Sequence, residues 1–526
     1  MFQAPKHPIQ SVVILGGGTA GWMTAAALVK LLPQSQLTIT LVESDAIGTV
    51  GVGEATLPHL RYFNQRLGID ERQFIRETGA TFKLGIEFSH WGRQGDAYIH
   101  PFGDYGKPAN GVNFHHFYTA AKRSDPSLSL DSFSLPVMAC KAKRFDFPST
   151  DPQSLLSTYS YAYHIDAGQY ARFLRSFSEA LGVTRIEGKV VDVITRVSNG
   201  EVAALTLENG DRIDGDFFVD CSGFRGQLIE QTLHAGYEDW SHWLPCNRAV
   251  AVPSKHAGDP LPYTKAIARE AGWQWQIPLQ HRMGNGLVYC DEYMTAQQAE
   301  DSLLNALPGA ALAQPNHLRF CTGKRQQSWL KNCVAIGLSS GFVEPLESTS
   351  IYLIQAAVMK LIELMPQRAN MVVKGREYNR YFDHEMTRIR DFLILHYHAT
   401  QRDDSAFWRY CKTMLIPDSL QEKMTLFTRY GMIEPYRYGL FLEPSWVAVY
   451  YGQGIIPQSV DARAVAQHQH DTGAATAAMA ELAKQVDESV MQLPTHAAWL
   501  NRLHSEHTPV PAGQTASASL YGVRHG

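Results

Sequence analysis

Residues 11–22 read Ser-Val-Val-Ile-Leu-Gly-Gly-Gly-Thr-Ala-Gly-Trp, a short β-branched run followed by a glycine-rich turn. The turn matches the pattern G-x-G-x-x-G, and residues 22–32 continue with the apolar spacing of a helix. Such glycines let the backbone approach a pyrophosphate, whose charge faces the amino-terminal end of the helix. The stretch therefore predicts a dinucleotide-binding strand, turn and helix, with contacts from Gly16, Gly18, Thr19, Ala20 and Gly21.

The next predicted strand, residues 37–42, is followed directly by Glu43. An acidic residue at this position accepts a hydrogen bond from a ribose hydroxyl and disfavours a 2′-phosphate. FAD or NAD is therefore expected. The alternative is a glycine turn that binds no ligand, and the correctly spaced Glu43 argues against it.

Two more distant segments favour FAD over NAD, because a large FAD site takes elements from separate parts of a chain. Residues 187–193 and 217–220 read as strands, and the second runs into the turn Cys221-Ser222-Gly223-Phe224-Arg225-Gly226. Residues 334–338 read as a further strand that leads towards a helix. Together these segments predict a discontinuous FAD module.

Residues 336–353 place glycines, two carboxylates and several hydroxyls directly before an apolar helical run. The helix is predicted to begin at 348–350 and to stop near Pro366. Unpaired N–H groups and the positive end of the helix dipole collect at its start, which suits a small anion. Local chemistry alone favours ordinary N-capping by Ser and Thr instead.

Composition excludes several classes of function. A chain of 526 residues is long enough for two or three interlocked modules. Its net charge of −4, pI near 6.6 and lack of a long Lys/Arg block argue against nucleic acid or an anionic membrane as a partner, and favour a small-molecule substrate. The seven scattered cysteines indicate neither a disulfide scaffold nor a zinc ribbon. Without a signal pattern or a long apolar segment, a soluble cytoplasmic protein is expected.

Three histidine pairs could suggest a metal centre. They are His115-His116, His396-x-His398 and His468-x-His470. None of the pairs brings the third and fourth ligands that a closed site needs, so no metal site is expected.

Four motifs along the chain carry a resemblance to a known family. They are the glycine turn ending in Gly21-Trp22, Phe82-Lys83 within residues 79–83, Trp273-x-Trp275-x-Ile277-Pro278, and Phe342-x-x-Pro345-x-x-Ser348-x-Ser350. Similar pieces occur at residues 51–56, 100–102 and 391–408, so that the match extends from about residue 11 to residue 500. The chain resembles flavin-dependent halogenases of the tryptophan halogenase type.

The resemblance implies an α/β fold with α+β insertions. An FAD-binding Rossmann-like module of the flavin monooxygenase type would be interlaced with a mainly helical substrate module. We expect the FAD module to comprise residues 9–110, 155–235 and 320–366, and the substrate module residues 111–154, 236–319 and 367–506. The Pro/Ser/Gly-rich residues 507–526 are expected to form a flexible tail.

The resemblance also implies a two-component reaction on an electron-rich, indole-type aromatic. A separate flavin reductase would supply reduced FAD, since the chain shows no second fingerprint for a nicotinamide dinucleotide. Reduced FAD and O2 would form a flavin hydroperoxide, a bound chloride or bromide would attack it, and the hypohalous acid would be guided to Lys83. An FAD-dependent aromatic hydroxylase and a non-catalytic flavin-binding homologue remain alternatives.

Residue roles follow from the matched motifs. Glu347 would orient the oxidant and take the proton from the arene; Glu344 has the same chemistry, and only the motif register selects Glu347. The remaining assignments are cofactor contacts at Gly53, Glu54, Ala55, Val190, Leu338 and Ser348, a halide site at Thr349 and Ser350, and substrate contacts at His100, Phe102, Trp273, Trp275, Ile277 and Pro278. Trp273, Trp275 and Ile277 alternate on a strand, so they should form one wall near the catalytic centre.

Ser350 departs from the family pattern, in which glycine is usual at this position. Serine keeps the backbone N–H but adds a Cβ and a hydroxyl beside the proposed halide site, and it loses easy access to positive φ. The sequence leaves open the halide, the substrate, the regiochemistry and the oligomeric state, with a homodimer among the alternatives.

Overall fold

The computed structural model describes residues 9–32, 37–47, 53–365, 371–436 and 439–503. The predicted tail at 507–526 and the predicted helix stop at Pro366 lie outside these ranges. The strands of the described part are β1 (Ser11–Leu15), β2 (Thr38–Glu43), β3 (Gly53–Ala55), β4 (Thr81–Lys83), β5 (Gly85–Ser89), β6 (Ala97–Pro101), β7 (Ala162–Asp166), β8 (Thr184–Glu187), β9 (Val190–Thr195), β10 (Val202–Leu207), β11 (Arg212–Asp214), β12 (Phe217–Asp220), β13 (Tyr237–Asp239), β14 (Arg248–Ser254), β15 (Thr264–Arg269), β16 (Gly272–Pro278), β17 (Met283–Tyr289), β18 (Asn316–Arg319), β19 (Gly323–Arg325), β20 (Trp329–Leu330), β21 (Cys333–Ala335) and β22 (Gly341–Phe342).

Helices cover the outer faces of the sheets and build most of the carboxyl-terminal third. They are α1 (Thr19–Leu31), α2 (His59–Leu67), α3 (Glu71–Thr78), α4 (Phe114–Ser124), α5 (Leu135–Lys141), α6 (Ala167–Ala180), α7 (Ala296–Asn305), α8 (Thr349–Glu363), α9 (Met371–His398), α10 (Ala406–Thr413), α11 (Asp418–Tyr430), α12 (Glu443–Gly452), α13 (Ala462–His470), α14 (Thr472–Gln492) and α15 (His496–Leu503). No helix in the described ranges combines the length and the apolar character needed to cross a membrane.

A six-stranded sheet, in the order β20-β21-β12-β1-β2-β8, forms the dinucleotide-binding core. Its strands are parallel except for β20, and β1 and β12 are almost wholly apolar and buried, as expected for strands covered on both faces. Leu15 lies opposite both Val42 and Asp220, and Asp220 lies opposite Ala335. The loops that follow β1, β2, β12 and β21 therefore meet at one edge, the usual ligand-binding edge of such a sheet.

A second sheet has seven strands, in the order β18-β14-β17-β16-β15-β5-β6. The mixed α/β fold expected from the sequence is thereby confirmed, but the helices of the proposed substrate module lie mostly in residues 111–154 and 367–503. Residues 236–319 instead supply five strands to this sheet and only one helix, α7. Buried and partly exposed residues alternate along β15, and tryptophan alternates with glutamine along β16, which fits a strand better than a helical stripe.

Helices α8 and α9 pack against each other. Helix α8 begins at Thr349, as predicted, and ends at Glu363; it packs on α1 and α2. Helix α9 packs on α8, α10, α11 and α12, and the run from Ile389 to Tyr397 is wholly buried. The last turn of α9 therefore reaches the interior next to the turn that precedes α8.

Candidate active site

The glycines of the turn after β1 allow close contact between backbone segments. Gly16 has φ +113°, and a Cβ there would lie 2.3 Å from the carbonyl oxygen of Cys221. A Cβ at Gly21 would lie 1.8 Å from the carbonyl oxygen of Gly16, so both positions require glycine. Gly18 has nothing within 4 Å of its missing Cβ, and no side chain caps the helix that it precedes. The open N–H groups at this end fit a pyrophosphate.

A cavity of about 420 Å³ opens from this turn along the edge of the six-stranded sheet. Segments far apart in sequence line it. Of the residues expected to contact cofactor, halide or substrate, it is lined by Gly16, Gly18, Thr19, Ala20, Glu43, Gly53, Glu54, Ala55, Val190, Trp273, Trp275, Ile277, Leu338 and Ser350. The turn containing Ser222 and Phe224 also lines the cavity.

Acidic residues border this cavity. Glu43 Oε1 lies 2.5 Å from Nε of Arg185 and 3.7 Å from Nη1 of Arg175. One carboxylate oxygen is thus paired, and ribose binding by Glu43 stays a prediction that concerns the other. Burial raises the pKa of Glu54 to about 7, so its side chain carries a proton through much of the neutral range.

The two tryptophans of β16 lie on one wall of the cavity, as their alternation predicts. Their ring centroids are 6.1 Å apart. Trp275 covers Gly286 of β17, where a Cβ would lie 2.0 Å from the indole. Trp273 donates from Nε1 to Glu344 Oε2 at 2.7 Å. Packing on Gly286 therefore positions the indole of Trp275, and a hydrogen bond positions that of Trp273.

The segment from Val343 to Ser348 turns sharply between this wall and α8. Pro345 to Glu347 form a 3₁₀ turn, and Ser348 follows with φ 61° and ψ 33°. Positive φ therefore falls on Ser348, while Ser350 lies inside α8, where a Cβ brings no backbone strain. The concern that Ser350 loses a needed positive φ does not apply to this structure.

Ser348 occupies the N-cap position of α8 but does not cap the helix with its side chain. Its Oγ instead accepts a hydrogen bond of 2.7 Å from Nζ of Lys83. Plain N-capping, which local chemistry favoured, is therefore wrong for Ser348, because the hydroxyl is turned away from the first helical turn.

Lys83 lies on β4, wholly buried. Its Nζ also donates to the carbonyl oxygen of Thr56 at 3.0 Å and lies 4.9 Å from the ring centroid of Phe102. Burial lowers the pKa of Lys83 to about 7, although the charge of Glu347 acts in the opposite direction. A neutral amine has two N–H groups, which match the two acceptors, and keeps a free lone pair.

Glu347, also wholly buried, lies between two histidines. His100 Nδ1 lies 2.9 Å and 2.8 Å from its two carboxylate oxygens, and His396 Nε2 lies 2.8 Å from Oε1. Burial alone would raise the pKa of Glu347, but the charges of and hydrogen bonds from the two histidines lower it to about 2. The carboxylate is therefore ionised at neutral pH.

His396 contacts Glu347 from the last turn of α9. Its Nδ1 donates to the carbonyl oxygen of Phe392 at 2.8 Å, since a carbonyl can only accept. Its Nε2 lies 2.8 Å from Oε1 of Glu347. His396 therefore joins the backbone of its own helix to the buried carboxylate.

Aromatic rings surround the other side of His100. The centroid of its ring lies 5.8 Å from that of Phe392 and 6.3 Å from that of Phe441, and these two phenylalanines stack at 4.0 Å. His100 Nε2 is buried and has no hydrogen-bond partner among the described residues. A flat ring with a donor or acceptor at its edge would suit this environment.

Thr349 and Ser350 occupy different surroundings. Thr349 is wholly buried, and its Oγ1 has no hydrogen-bond partner among the described residues. Ser350 lines the large cavity. The first turn of α8 contains no acidic residue, so the open N–H groups and the orphaned hydroxyl fit a small anion.

The structure therefore places most predicted site residues in two adjoining groups: the cavity lining, and a buried cluster of Lys83, His100, Phe102, Glu347 and Ser348. Pro278 belongs to neither group; its carbonyl accepts from Thr81 Oγ1 at 2.6 Å, at the end of the wall strand. Sequence reasoning missed the roles of His396 and Tyr397, which contact Glu347 and Glu344. The signal was a polar pair at the end of a long apolar helical run.

The chain is similar to known proteins over most of its length. A family model described as tryptophan halogenase matches residues 11–469. A curated 7-chloro-L-tryptophan 6-halogenase from Kutzneria sp. (strain 744) is 37% identical over 522 residues, which is 94% of this chain and 99% of the relative.

Solved structures of flavin-dependent halogenases are similar over nearly the whole chain. The enzyme from Xanthomonas campestris is 47% identical with a TM-score of 0.90, covering 94% of this chain and 98% of its own. BrvH from Brevundimonas sp. BAL3 is 44% identical with a TM-score of 0.90, covering 94% and 99%. This protein belongs to the tryptophan halogenase family of flavin-dependent halogenases.

Proposed function

We propose that this protein is a two-component halogenase that uses reduced FAD from a separate reductase to install bromide or chloride on an electron-rich, indole-type aromatic. The observation that carries the proposal is the buried contact between Lys83 and Ser348, with Glu347 held one residue earlier in the same turn. None of the three residues lines the cavity, so the proposal keeps the arene apart from the cofactor.

Reduced FAD bound along the cavity would, with O2 and halide, supply hypohalous acid. The glycine turn would hold the pyrophosphate, with Gly16 and Gly18 allowing close approach, while Leu338 and Val190 offer backbone groups to the ring systems. The N–H groups at the start of α8, with Thr349 and Ser350, would hold the halide. The wall formed by Trp273 and Trp275 keeps the arene away from the cofactor.

Lys83 is the proposed group that delivers the halogen. Its Nζ is anchored by Thr56 and Ser348, so it can point a free N–H or a lone pair at the oxidant. Because burial lowers its pKa to about 7, the neutral amine that a haloamine requires is populated at neutral pH, while the protonated form can hydrogen-bond the hypohalous acid.

Glu347 is the proposed acceptor of the proton that leaves the arene. It is ionised, and His100 and His396 fix its orientation. His100, Phe102 and Phe441 would flank the aromatic ring. Glu344, the other carboxylate of the motif, faces Trp273 and Tyr397 instead, which supports the motif register that selected Glu347.

The proposal is tested by supplying reduced FAD, O2 and either bromide or chloride to a panel of indoles. We expect halogenated product from the wild-type protein and at least a hundredfold loss in Lys83→Ala, with flavin binding unchanged. Oxygenated product that forms without halide and persists in Lys83→Ala would identify a hydroxylase. Competent flavin oxidation without any modified arene would overturn the proposal.

A further inference from the structure

The segment from Val343 to Ser348 is the proposed catalytic turn. Glu344 is a second buried carboxyl in this turn, and the proposed chemistry does not use it. Its side chain is wholly buried. Oε2 accepts hydrogen bonds from Trp273 Nε1 at 2.7 Å and from Tyr397 Oη at 2.5 Å, whereas Oε1 has no partner among the described residues. A buried carboxyl is expensive to keep unless it makes specific contacts, so these two donors define what Glu344 does.

The two donors come from elements that build different parts of the site. Trp273 is the second residue of β16 and lies on the wall of the large cavity. Tyr397 lies on the last turn of α9, directly after His396, which contacts Glu347. His396 and Tyr397, which are neighbours on α9, therefore contact the two carboxyl groups of the turn.

We propose that Glu344 is a positioning residue that holds the indole of Trp273, and with it the cavity wall, in register with the turn that carries Glu347 and Ser348. The inference rests on the proposed function, because it concerns how oxidant passes from the cavity side to Lys83. Glu344 leads directly into Pro345, so a shift of its side chain displaces the turn. The wall and the turn are thereby fixed to each other by one carboxyl group.

No ion pair in the described part of the chain involves Glu344. The phenol of Tyr397 and the thiols of Cys246 and Cys411 face it, and burial raises the pKa of all three. Burial also raises the pKa of Glu344 to about 7. A neutral carboxyl accepts both hydrogen bonds through its carbonyl oxygen, so a glutamine amide can replace it.

The experiment compares Glu344→Gln with Glu344→Leu. Glutamine keeps an acceptor for Trp273 and Tyr397, and we expect its ratio of halogenated product to flavin oxidised to stay close to that of the wild type. Leucine removes the acceptor, and we expect this ratio to fall roughly tenfold to a hundredfold, as for other small displacements of a reacting group. The missing oxidising equivalents should appear as free hypohalous acid that leaves the site, and as hydrogen peroxide where reduced flavin passes two electrons and two protons to O2 before halide reacts.

A second readout does not depend on halogenation. The indole N–H resonance of Trp273, assigned by its absence in Trp273→Phe, should exchange slowly with solvent in the wild type and in Glu344→Gln, and fast in Glu344→Leu. If the wild type yields no halogenated arene, the proposed function fails, while the exchange rate still decides whether Glu344 holds Trp273.

Glu238→Leu is the matched control. Glu238 Oε1 accepts from the indole Nε1 of Trp240 at 2.8 Å, the same kind of bond outside the cavity lining and the catalytic turn. Its loss should leave the product ratio unchanged. Should Glu344→Leu fail to fold, Glu344→Asp, whose carboxyl is one methylene too short to reach both donors, carries the same test. A wild-type product ratio or a protected Trp273 indole in the variant that lacks the acceptor would overturn the proposal.

Discussion

Lys83 donates a hydrogen bond of 2.7 Å to Ser348, which is held in the left-handed backbone region with φ 61°. The αL conformation costs a non-glycine residue about 1–2 kcal/mol. The neighbouring contacts of Glu347 and the hydrogen bond from Lys83 oppose this strain. The geometry of the catalytic turn is therefore maintained by its side chains against the preference of the backbone.

Ser348→Ala and Ser348→Gly separate the hydroxyl from the backbone strain. Both variants remove the acceptor of Lys83, and we expect halogenation to decrease in both. Glycine also relieves the left-handed strain. The free energy of unfolding of Ser348→Gly, measured by urea titration, should therefore exceed that of Ser348→Ala by about 1 kcal/mol. Equal stability of the two variants would show that the turn is not strained at this position.

The lowered pKa of Lys83 predicts a pH dependence of the free energy of unfolding, which can be measured without substrate. Burial lowers this pKa from its ordinary value of 10.5 to about 7, so between these values the unfolded chain binds a proton that the folded protein does not. Stability from this group must then rise as the pH increases from 7 towards 10.5, by roughly 3–5 kcal/mol over the whole window.

Lys83→Met removes this titration and leaves the other groups in place. The difference in unfolding free energy between wild type and Lys83→Met should therefore increase in favour of the wild type from pH 7 to pH 10. Chemical denaturation at several pH values measures it. A difference that is constant with pH would mean that Lys83 is charged in the folded protein.

The sequence predicted the dinucleotide-binding core because local patterns determine it. Residues 11–15, 38–43 and 217–220 are short apolar runs that end in glycine or acidic residues, and each forms a parallel strand. The first turn of α8 was predicted for the same reason. Long-range contacts gave no local signal: Ser348 looked like an N-cap, because its partner Lys83 lies 265 residues earlier.

The pairing of Glu347 with His396 could not be predicted for a related reason. A histidine in a buried apolar helix is compatible with many partners, and only the packing of α9 against the catalytic turn selects one. The alternating tryptophans of β16 were predicted as a strand. Strands β14 and β17 of the same sheet were missed because they are buried on both faces and carry no alternation strong enough to exclude helices.

His396→Phe should weaken the hold on Glu347. Removing one of the two histidines leaves the buried charge of Glu347 only partly compensated, which costs about 3 kcal/mol or more. The folded-state pKa of Glu347 is lowered from 4.5 to about 2, so this carboxylate stabilises the fold above pH 4.5 and loses that contribution as the pH falls towards 2. The deficit of the variant should therefore be larger at pH 7 than near pH 2 in calorimetry. Equal deficits at both values would mean that His396 contributes only packing.

Thr349→Val separates halide binding from stability. The hydroxyl of Thr349 is buried without a partner among the described residues, so its replacement by a methyl group should leave the unfolding free energy unchanged or slightly higher. A hydrogen bond to a charged ligand contributes about 1.5–3 kcal/mol, so the KM for halide should rise about tenfold to a hundredfold while flavin oxidation continues. Thr322→Val is the matched control, because the Thr322 hydroxyl donates to the carbonyl of Leu244 at 3.0 Å. That variant should lose stability and keep the halide KM. An unchanged halide KM in Thr349→Val would exclude Thr349 from the halide site.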